Sequence, residues 1–271
     1  MTLETETKPP ARHESRLLAE ERRRKILELL ETDGRVTVDD LARRFSVSAV
    51  TVRTDLDGLS ELGALRRSHG GAVRVLAPSD DYPLKLKERL HHEEKLRIAC
   101  AAAELVRPNQ TIILDSGSTT GEIARQFKIS RIKNITVITN SLGIAAELSD
   151  SAGITVIMIG GIVREISRSC VGPHAELMMR DLHADHLFLA VDGLHVQAGP
   201  STPDILEAQL NGLMVRAANE ITIVADSSKF GRRSMSVIAG VEQIDRVITD
   251  SGVAPEMVEA LHARHVEVII A

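Results

Sequence analysis

The sequence predicts an α/β protein in two parts: a small helical unit closed by a β-hairpin, then a larger α/β domain on a parallel sheet. Three observations predict it. From Leu17 to Leu62 apolar residues recur at helical spacing, broken by cap and turn residues. From Ala64 to Val75 the pattern becomes that of two short strands turning at Gly70-Gly71. Beyond Pro108, short apolar runs alternate with helical patterns, the texture of a sheet covered on both faces. The 271 residues suffice for two separate cores.

Residues 1–16 lack apolar periodicity, contain Pro9-Pro10 and are expected to form a disordered tail. Ile26, Leu27, Leu29 and Leu30 make one face of a first helix, which Thr32-Asp33-Gly34 ends. Thr37 can cap a second helix, with Asp39 and Asp40 in the turn where the dipole favours acid. Leu41, Ala42 and Phe45 supply its apolar stripe. Ser46-Val47-Ser48 breaks the pattern, and a third helix follows from Ala49 with Val52, Leu56 and Leu59 inward. The segment Ala77 to Pro83 holds two prolines, a serine and two aspartates, and reads as a linker. This divides the chain into 17–76, a linker 77–83, and 84–271. The second part opens on one long charged amphipathic helix, Leu84 to Val106. Seven strands are then expected: Thr111–Leu114, Ile135–Thr139, Ile154–Ile159, Leu187–Val191, Ile221–Ala225, Arg246–Thr249 and Val266–Ile270.

Composition narrows the function. Four Phe, one Tyr and no Trp are too few rings for a surface that stacks single-stranded bases. Cys100 and Cys170 are far apart and fit reduced thiols, not a disulfide framework. No run approaches the length of a membrane span, and Met1–Pro10 lacks the apolar core of a signal peptide. A cytoplasmic protein with no membrane association is expected. The formal net charge is −5, yet residues 43–74 carry Arg43, Arg44, Arg53, Arg66, Arg67 and Arg74 against Asp55, Asp57 and Glu61. The acidity lies mostly downstream and leaves room for a local basic face.

The unit from Val36 to Asp55 has the layout of a helix-turn-helix: a bracing helix, a tight turn, and a helix whose start enters the major groove. That second helix offers Ser48, Thr51, Arg53 and Thr54 on its polar side. Arginine can pair with guanine, and threonine can touch a thymine methyl or a phosphate. The hairpin Leu65-Arg66-Arg67-Ser68-His69-Gly70-Gly71 would be a wing, with Arg66 and Arg67 placed for phosphate or minor-groove contact and His69 at the tip. A plain three-helix bundle with a solvated arginine face is the bland alternative. The turn, the small polar residues and the glycine wing together favour double-stranded DNA.

In the second part, Asp115-Ser116-Gly117-Ser118-Thr119-Thr120 follows an expected strand and opens a helix. Such a loop presents backbone N–H groups and hydroxyls to an anion. A second strand ends in Thr139-Asn140-Ser141 and a third at Gly160-Gly161. In a parallel sheet ligands sit beyond the carboxyl ends of the strands, so these three loops are expected to border one crevice. A glycine pair can equally be a plain turn, and a serine or threonine a helix cap. Asp192 ends another strand, Glu207 follows, and Lys229 comes after a later strand. These could bind sugar hydroxyls and phosphate, or form a structural ion pair. Neither G-x-G-x-x-G nor G-x-x-x-x-G-K-[ST] occurs, which disfavours dinucleotides and nucleoside triphosphates. His91-His92, His183 and His186 have no third ligand at metal spacing. No metal and no cofactor are expected.

The stretch RRRKILELL…VTVDDLARRFSVSAVTVRTDLDGLSELGALRRSHGGA resembles the DNA-binding domain of the DeoR family of sugar-catabolism regulators, most specifically in its L-R-R-x-H-G-G-A ending. The family usually has Arg-Arg-Asp where this chain has Arg53-Thr54-Asp55, a departure that bears on the operator sequence and not on the docking mode. The runs D-S-G-S-T-T, I-T-N-S, G-G-x-x-R, D-G-L…E-A-Q and A-D-S-S-K-F-G are similar to the family's sensor domain, so the resemblance runs from about Leu17 almost to the end. It implies a winged helix-turn-helix joined to a domain sharing its fold with ribose-5-phosphate isomerase. It also implies phosphate on Ser116, Gly117, Ser118 and Thr119, with Asp192, Glu207 and Lys229 near the sugar. The run Asp181–Asp185 and the downstream Glu-Ala-Gln-Leu-Asn resemble the amino-sugar branch, which regulates N-acetylgalactosamine use.

The expected function is therefore a repressor of a carbohydrate operon, controlled by a sugar phosphate. Two-fold operators favour a homodimer or homotetramer. The rivals are a sugar-phosphate isomerase using Asp192, Glu207 and Lys229 as acid–base groups, and a nucleotide-responsive regulator. An isomerase would gain nothing from residues 17–75.

Overall fold

The structure, a computed structural model, describes residues 18–61, 63–74, 81–130 and 132–271. The expected tail, 1–16, and the linker residues 77–80 lie outside the described residues. The chain divides into two compact units, Met1–Val75 and Leu76–Ala271.

The first unit runs α1 (Ala19–Asp33), β1 (Arg35–Thr37), α2 (Val38–Phe45), α3 (Ala49–Glu61), β2 (Leu65–Ser68) and β3 (Gly71–Arg74). Gly34 closes α1 with φ +71°, the left-handed conformation that a Cβ disfavours. Thr37 caps α2, its hydroxyl accepting from the Asp40 N–H at 3.2 Å. Ser48 caps α3 in the same way, accepting from the Thr51 N–H at 3.1 Å. Ile26, Leu27 and Leu30 of α1 pack with Leu41, Phe45, Val52, Leu56 and Leu59, all buried. β1 was not anticipated, because three residues are too few to show a period. It pairs antiparallel with β3 in a sheet ordered β1-β3-β2. The pairing explains Gly71: a Cβ there would lie 2.1 Å from the Val36 carbonyl oxygen.

The second unit opens with α4 (Leu84–Arg89) and α5 (His92–Glu104), not with one helix. The break falls at Leu90-His91, where His91 takes φ +51°. Its physical reason is Lys95. This lysine is buried, and its ammonium donates to the carbonyls of Lys87 and Leu90, satisfying acceptors that α4 leaves open at its end.

After α5 come β4 (Thr111–Leu114), α6 (Ser118–Ile129), β5 (Ile135–Thr139), α7 (Leu142–Leu148) and β6 (Ile154–Met158). A hairpin follows, β7 (Ile162–Arg164) and β8 (Ser169–Val171), then α8 (Pro173–Arg180) and β9 (Ala184–Leu189). Next are β10 (Gly193–His195), β11 (Gly199–Thr202), α9 (Ile205–Ala217), β12 (Ala218–Val224) and β13 (Ser236–Val237). The chain ends with β14 (Arg246–Thr249), α10 (Pro255–His262) and β15 (Glu267–Ile270). Seven strands, at the seven expected places, form one wholly parallel sheet ordered β15-β14-β12-β9-β4-β5-β6.

Side chains alternate between its faces. Ile112, Leu114, Val137, Phe188 and Val224 pack under α5, α6 and α7 through Ile98, Ala102, Ile123, Phe127 and Leu148. Ile113, Ile138, Leu187 and Leu189 pack under α8, α9 and α10 through Ala175, Met179, Met214 and Leu261. His186 belongs to this interior. It stacks on Phe188 at 4.1 Å between ring centres and its Nε2 pairs with the Thr222 hydroxyl at 2.8 Å. Burial pulls its pKa down to about 4, so it is a neutral core residue at pH 7.

Strand order runs outward in opposite directions from β4 and β9, which makes their junction the switch point of the sheet. Among the described residues no helix is long and apolar enough to cross a membrane.

Candidate DNA interface and effector pocket

In the first unit, Arg53 and Thr54 on α3 and Arg66 and His69 on the hairpin are exposed. Among the described residues Arg53 and Arg66 make no hydrogen bond or ion pair, so both guanidiniums are available to an anion or a base edge. Ser48 and Thr51 are engaged with each other, their hydroxyl oxygens 2.8 Å apart, and Thr54 donates to the Val50 carbonyl at 3.1 Å. Arg67 is half-buried, paired with Asp57 at 3.1 Å and donating to the Gly71 carbonyl at 3.2 Å, which braces the hairpin against α3.

Two features escaped sequence reasoning. Val50, the second residue of α3, is 68% exposed, an apolar contact suited to a thymine methyl. Asp55 is not an acid on the DNA face. It is 2% exposed and turned inward, its carboxylate held by Arg22 and, at 3.1 Å, by Arg23. The arginines of α1 thereby neutralise the acid of the recognition helix from behind. Only the partner position, 33 residues away, reveals this.

In the second unit a pocket opens at the β4/β9 switch point. Of the expected residues, Asp115, Ser116, Gly117, Ser118, Thr119, Asp192, Glu207 and Lys229 line it. They come from the loops after β4, β9 and β12 and from α9. The strands on that side of the switch point determine which loops meet. The loops after β5 and β6 lie on the other side of β4 and do not line it. There, the Asn140 amide donates to the Cys170 carbonyl at 3.0 Å, and Ser141 caps α7 through the Ile144 N–H at 3.3 Å. Gly160 packs on Met178, and Gly161, at φ +150°, leaves a would-be Cβ 2.7 Å from the Val171 oxygen. Thr120 stands behind the loop, fully buried, its hydroxyl donating to the Asp115 carboxylate at 2.8 Å.

The loop after β4 is drawn tight across β9: a Cβ on Gly117 would lie 2.2 Å from that of Ala190. Gly117 starts α6 with no side chain capping the helix and no acid in its first turn. The N–H groups of that turn and the positive end of a twelve-residue helix thus face the pocket. Asp115 shapes the loop from beneath, accepting from Thr120, from the Ala190 N–H at 3.2 Å and from the Gly117 N–H at 3.3 Å. Burial raises its pKa to about 7, with nearby Glu207 adding to the rise and these hydrogen bonds opposing it.

Three lysines line the pocket as well, Lys87, Lys95 and Lys229; only Lys229 was legible from sequence. Asp226 opposes them. Burial works against its charge, yet Lys229, Lys95 and His91 hold its pKa down to about 2. Its Oδ1 accepts from Ser228, while its buried Oδ2 has no hydrogen-bond partner among the described residues. Asp192 is held below the usual carboxylate range against burial by Lys87 and Lys229, with Lys87 at 2.6 Å. Glu207 accepts from Thr202 at 3.2 Å, Arg164 at 3.3 Å and Ser169 at 3.4 Å. Among the described residues no cluster of His, Cys, Asp and Glu has metal-holding geometry.

A reading helix with a braced hairpin, on one chain with an anion-facing pocket at a sheet's switch point, defines a ligand-responsive DNA-binding regulator. Residues 22–76 match the DeoR-like helix-turn-helix domain and residues 90–251 the DeoR C-terminal sensor domain. The chain belongs to the DeoR family of transcriptional regulators. It is 38% identical over 252 residues to a putative aga operon transcriptional repressor of Escherichia coli O157:H7, covering 92% of this chain and 93% of that one. It is 37% identical over 254 residues to the HTH-type transcriptional regulator GlpR of Haloferax volcanii, covering 93% and 98%. A solved ribose 5-phosphate isomerase of Methanocaldococcus jannaschii aligns with 51% of this chain and 54% of its own at 17% identity and a TM-score of 0.38, too distant to add to the assignment.

Proposed function

We propose that the chain represses a carbohydrate-catabolism operon and leaves its operator when a phosphorylated sugar fills the β4/β9 pocket. One observation carries the sensor half: the uncapped start of α6 and the unpartnered Oδ2 of Asp226 belong to the same pocket. The first calls for an anion, and the second for a hydroxyl or amino hydrogen. A sugar phosphate supplies both. Ser118 and Thr119 would receive the phosphate with Lys87, Lys95 and Lys229 as counter-charges, while Asp192, Glu207 and Asp226 accept from the sugar. Three carboxylates around the sugar suit an amino sugar, in line with the resemblance of Asp181–Asp185 and Glu207–Asn211 to the amino-sugar branch. The relative named for the aga operon supports the same choice.

The DNA half acts through Val50, Arg53 and Thr54 of α3 in the major groove, with Arg66 and His69 of the hairpin on the backbone or minor groove. The protein works as a homodimer or homotetramer on a two-fold operator. Control follows from differential affinity: a ligand that binds one conformer better shifts the population toward it.

The test is fluorescence anisotropy on DNA from the gene's own upstream region, at salt that suppresses non-specific binding, with a panel of sugar phosphates that includes hexosamine 6-phosphates. One compound should release the DNA. A variant carrying Ser118→Ala and Thr119→Ala should bind the same DNA and ignore that compound. A double variant that still responds normally removes the phosphate from α6.

A further inference from the structure

We propose that Asn211 is the residue by which the pocket tells one sugar phosphate from another, its carboxamide reading two neighbouring uncharged hydroxyls by donating to one and accepting from the other. The proposal rests on the sugar-phosphate reading above and carries it to the identity of the sugar. Asn211 lies on α9 and lines the pocket, with only 6% of its surface exposed. Among the described residues its side chain makes no hydrogen bond. A carboxamide carries an acceptor oxygen and two N–H donors, and such a group is normally satisfied when it is buried. An asparagine kept for the fold would be spent on a neighbouring backbone or side chain. This one is spent on nothing within the fold, and it is the one carboxamide in the lining of the pocket.

Glu207 stands one helical turn before Asn211, so both side chains leave α9 on the same face and belong to the sugar side of the pocket. The two differ in what they are left to do. The Glu207 carboxylate already accepts from Thr202, Ser169 and Arg164, and Arg164 is itself held by Asp81 and, at 3.1 Å, by Asp204. Asp192 is paired with Lys87 at 2.6 Å, and the Lys95 ammonium donates to the carbonyls of Lys87 and Leu90. Each of these charged groups also does one thing only: a carboxylate accepts and an ammonium donates. They can attract a sugar phosphate without distinguishing one arrangement of ring hydroxyls from another. The amide of Asn211 is neutral and planar, with donor and acceptor side by side, which suits two adjacent hydroxyls of fixed geometry. An epimer that turns one of them away leaves half of a buried amide unpaired, and that cost discriminates between sugars. An ammonium in place of either hydroxyl cannot accept from the amide, so the nitrogen of an amino sugar is directed to the carboxylates instead.

The experiment uses the full chain. Titration calorimetry measures the binding of inorganic phosphate and of the 6-phosphates of glucose, galactose, mannose, glucosamine and galactosamine, and melting is followed without ligand. Asn211→Leu keeps the shape of the side chain and removes its polar atoms. It should weaken the compound that the wild type binds best by about 5- to 150-fold, the worth of two hydrogen bonds, and leave inorganic phosphate unchanged. Its preference for that compound over the epimers should shrink with it. The ligand-free melting temperature should not fall, because an unpaired buried amide is replaced by an apolar group. Asn211→Asp keeps the acceptor and loses the donors, so it too should weaken the same compound relative to inorganic phosphate, and it supplies the answer should the leucine variant not fold. Variants that bind the preferred sugar phosphate as the wild type does, that keep its ratio between epimers, or that weaken phosphate and sugar phosphate by the same factor overturn the proposal. So does a leucine variant that melts lower with its sugar affinity intact, the mark of an asparagine kept for the fold. A wild type that binds no sugar phosphate more tightly than inorganic phosphate defeats the functional reading itself and this proposal with it.

Discussion

Replacing Asp55 by alanine separates two accounts of the recognition helix. If the carboxylate lay on the DNA face, its removal would lessen repulsion of phosphate and tighten binding. The structure predicts the opposite. Asp55 is 2% exposed, Arg22 beside it has a side chain 7% exposed, and Arg23 reaches it at 3.1 Å. Alanine takes the Asp55 carboxylate away from the buried Arg22, and breaking a buried pair costs about 3–5 kcal/mol. A unit of this size is stabilised by only about 3–8 kcal/mol in all, at roughly 0.05–0.15 kcal/mol per residue. The substitution should therefore unfold much of the first unit near room temperature and leave the second intact. Asp55→Asn, which keeps an acceptor but loses the charge, should fall between. The assay is calorimetric or circular-dichroism melting of the full chain, with operator binding measured at 10 °C and 25 °C. Expected is a low-temperature transition displaced downward or lost, an unchanged high-temperature one, and weakened DNA binding. Unchanged melting together with tighter DNA binding would refute the reasoning.

Arg53→Ala should weaken operator binding by about 1–3 kcal/mol if the guanidinium pairs with a base, with melting unchanged because no partner is lost within the fold; unaltered affinity in the anisotropy titration removes Arg53 from the interface. His186 predicts an acid-sensitive second unit. Its pKa in the fold is about 4 against 6.5 when exposed, so the unfolded chain binds the extra proton between those values, and stability is full above pH 6.5 and lost as pH falls toward 4. The shift corresponds to about 3 kcal/mol. His186→Gln, which keeps a partner for Thr222, should flatten that slope in melts at pH 4.5, 5.5 and 7, and an equally steep slope in the variant would assign it to other groups.

Much of the molecule follows from short windows of sequence. Gly34, Thr37 and Ser48 mark helix ends because capping joins a side chain to backbone within three residues. The seven apolar runs mark strands because a strand buried on both faces needs no partner to be recognised. The loop Asp115–Thr120 was legible for the same reason: its chemistry is that of a strand end running into a helix start. The windows carry no information on what lies across the fold. β1 is three residues whose only signal is a partner at Gly71. The helix break at Leu90-His91 depends on the ammonium of Lys95 reaching back to two carbonyls, which helical periodicity does not record. Asp55 counts as a surface acid until Arg22 and Arg23 are placed behind it.

The pocket shows the division most clearly. Sequence determined that the loops after β4, β5 and β6 each end a strand and open toward one end of the sheet. Which loops meet was decided by strand order. With β9 and β12 on one side of β4 and β5 and β6 on the other, Asp192, Asp226 and Lys229 join Ser118 and Thr119, whereas Asn140, Ser141, Gly160 and Gly161 are used in packing and caps. Strand order is settled by burial of whole helices against both faces, a property of the assembled domain. Asp81, Arg164 and Glu207, distant in the chain and adjacent in space, owe their meeting to the same cause: local spacing records the hydrogen bonds and burial of one element, and only the packed fold sets which charges come together.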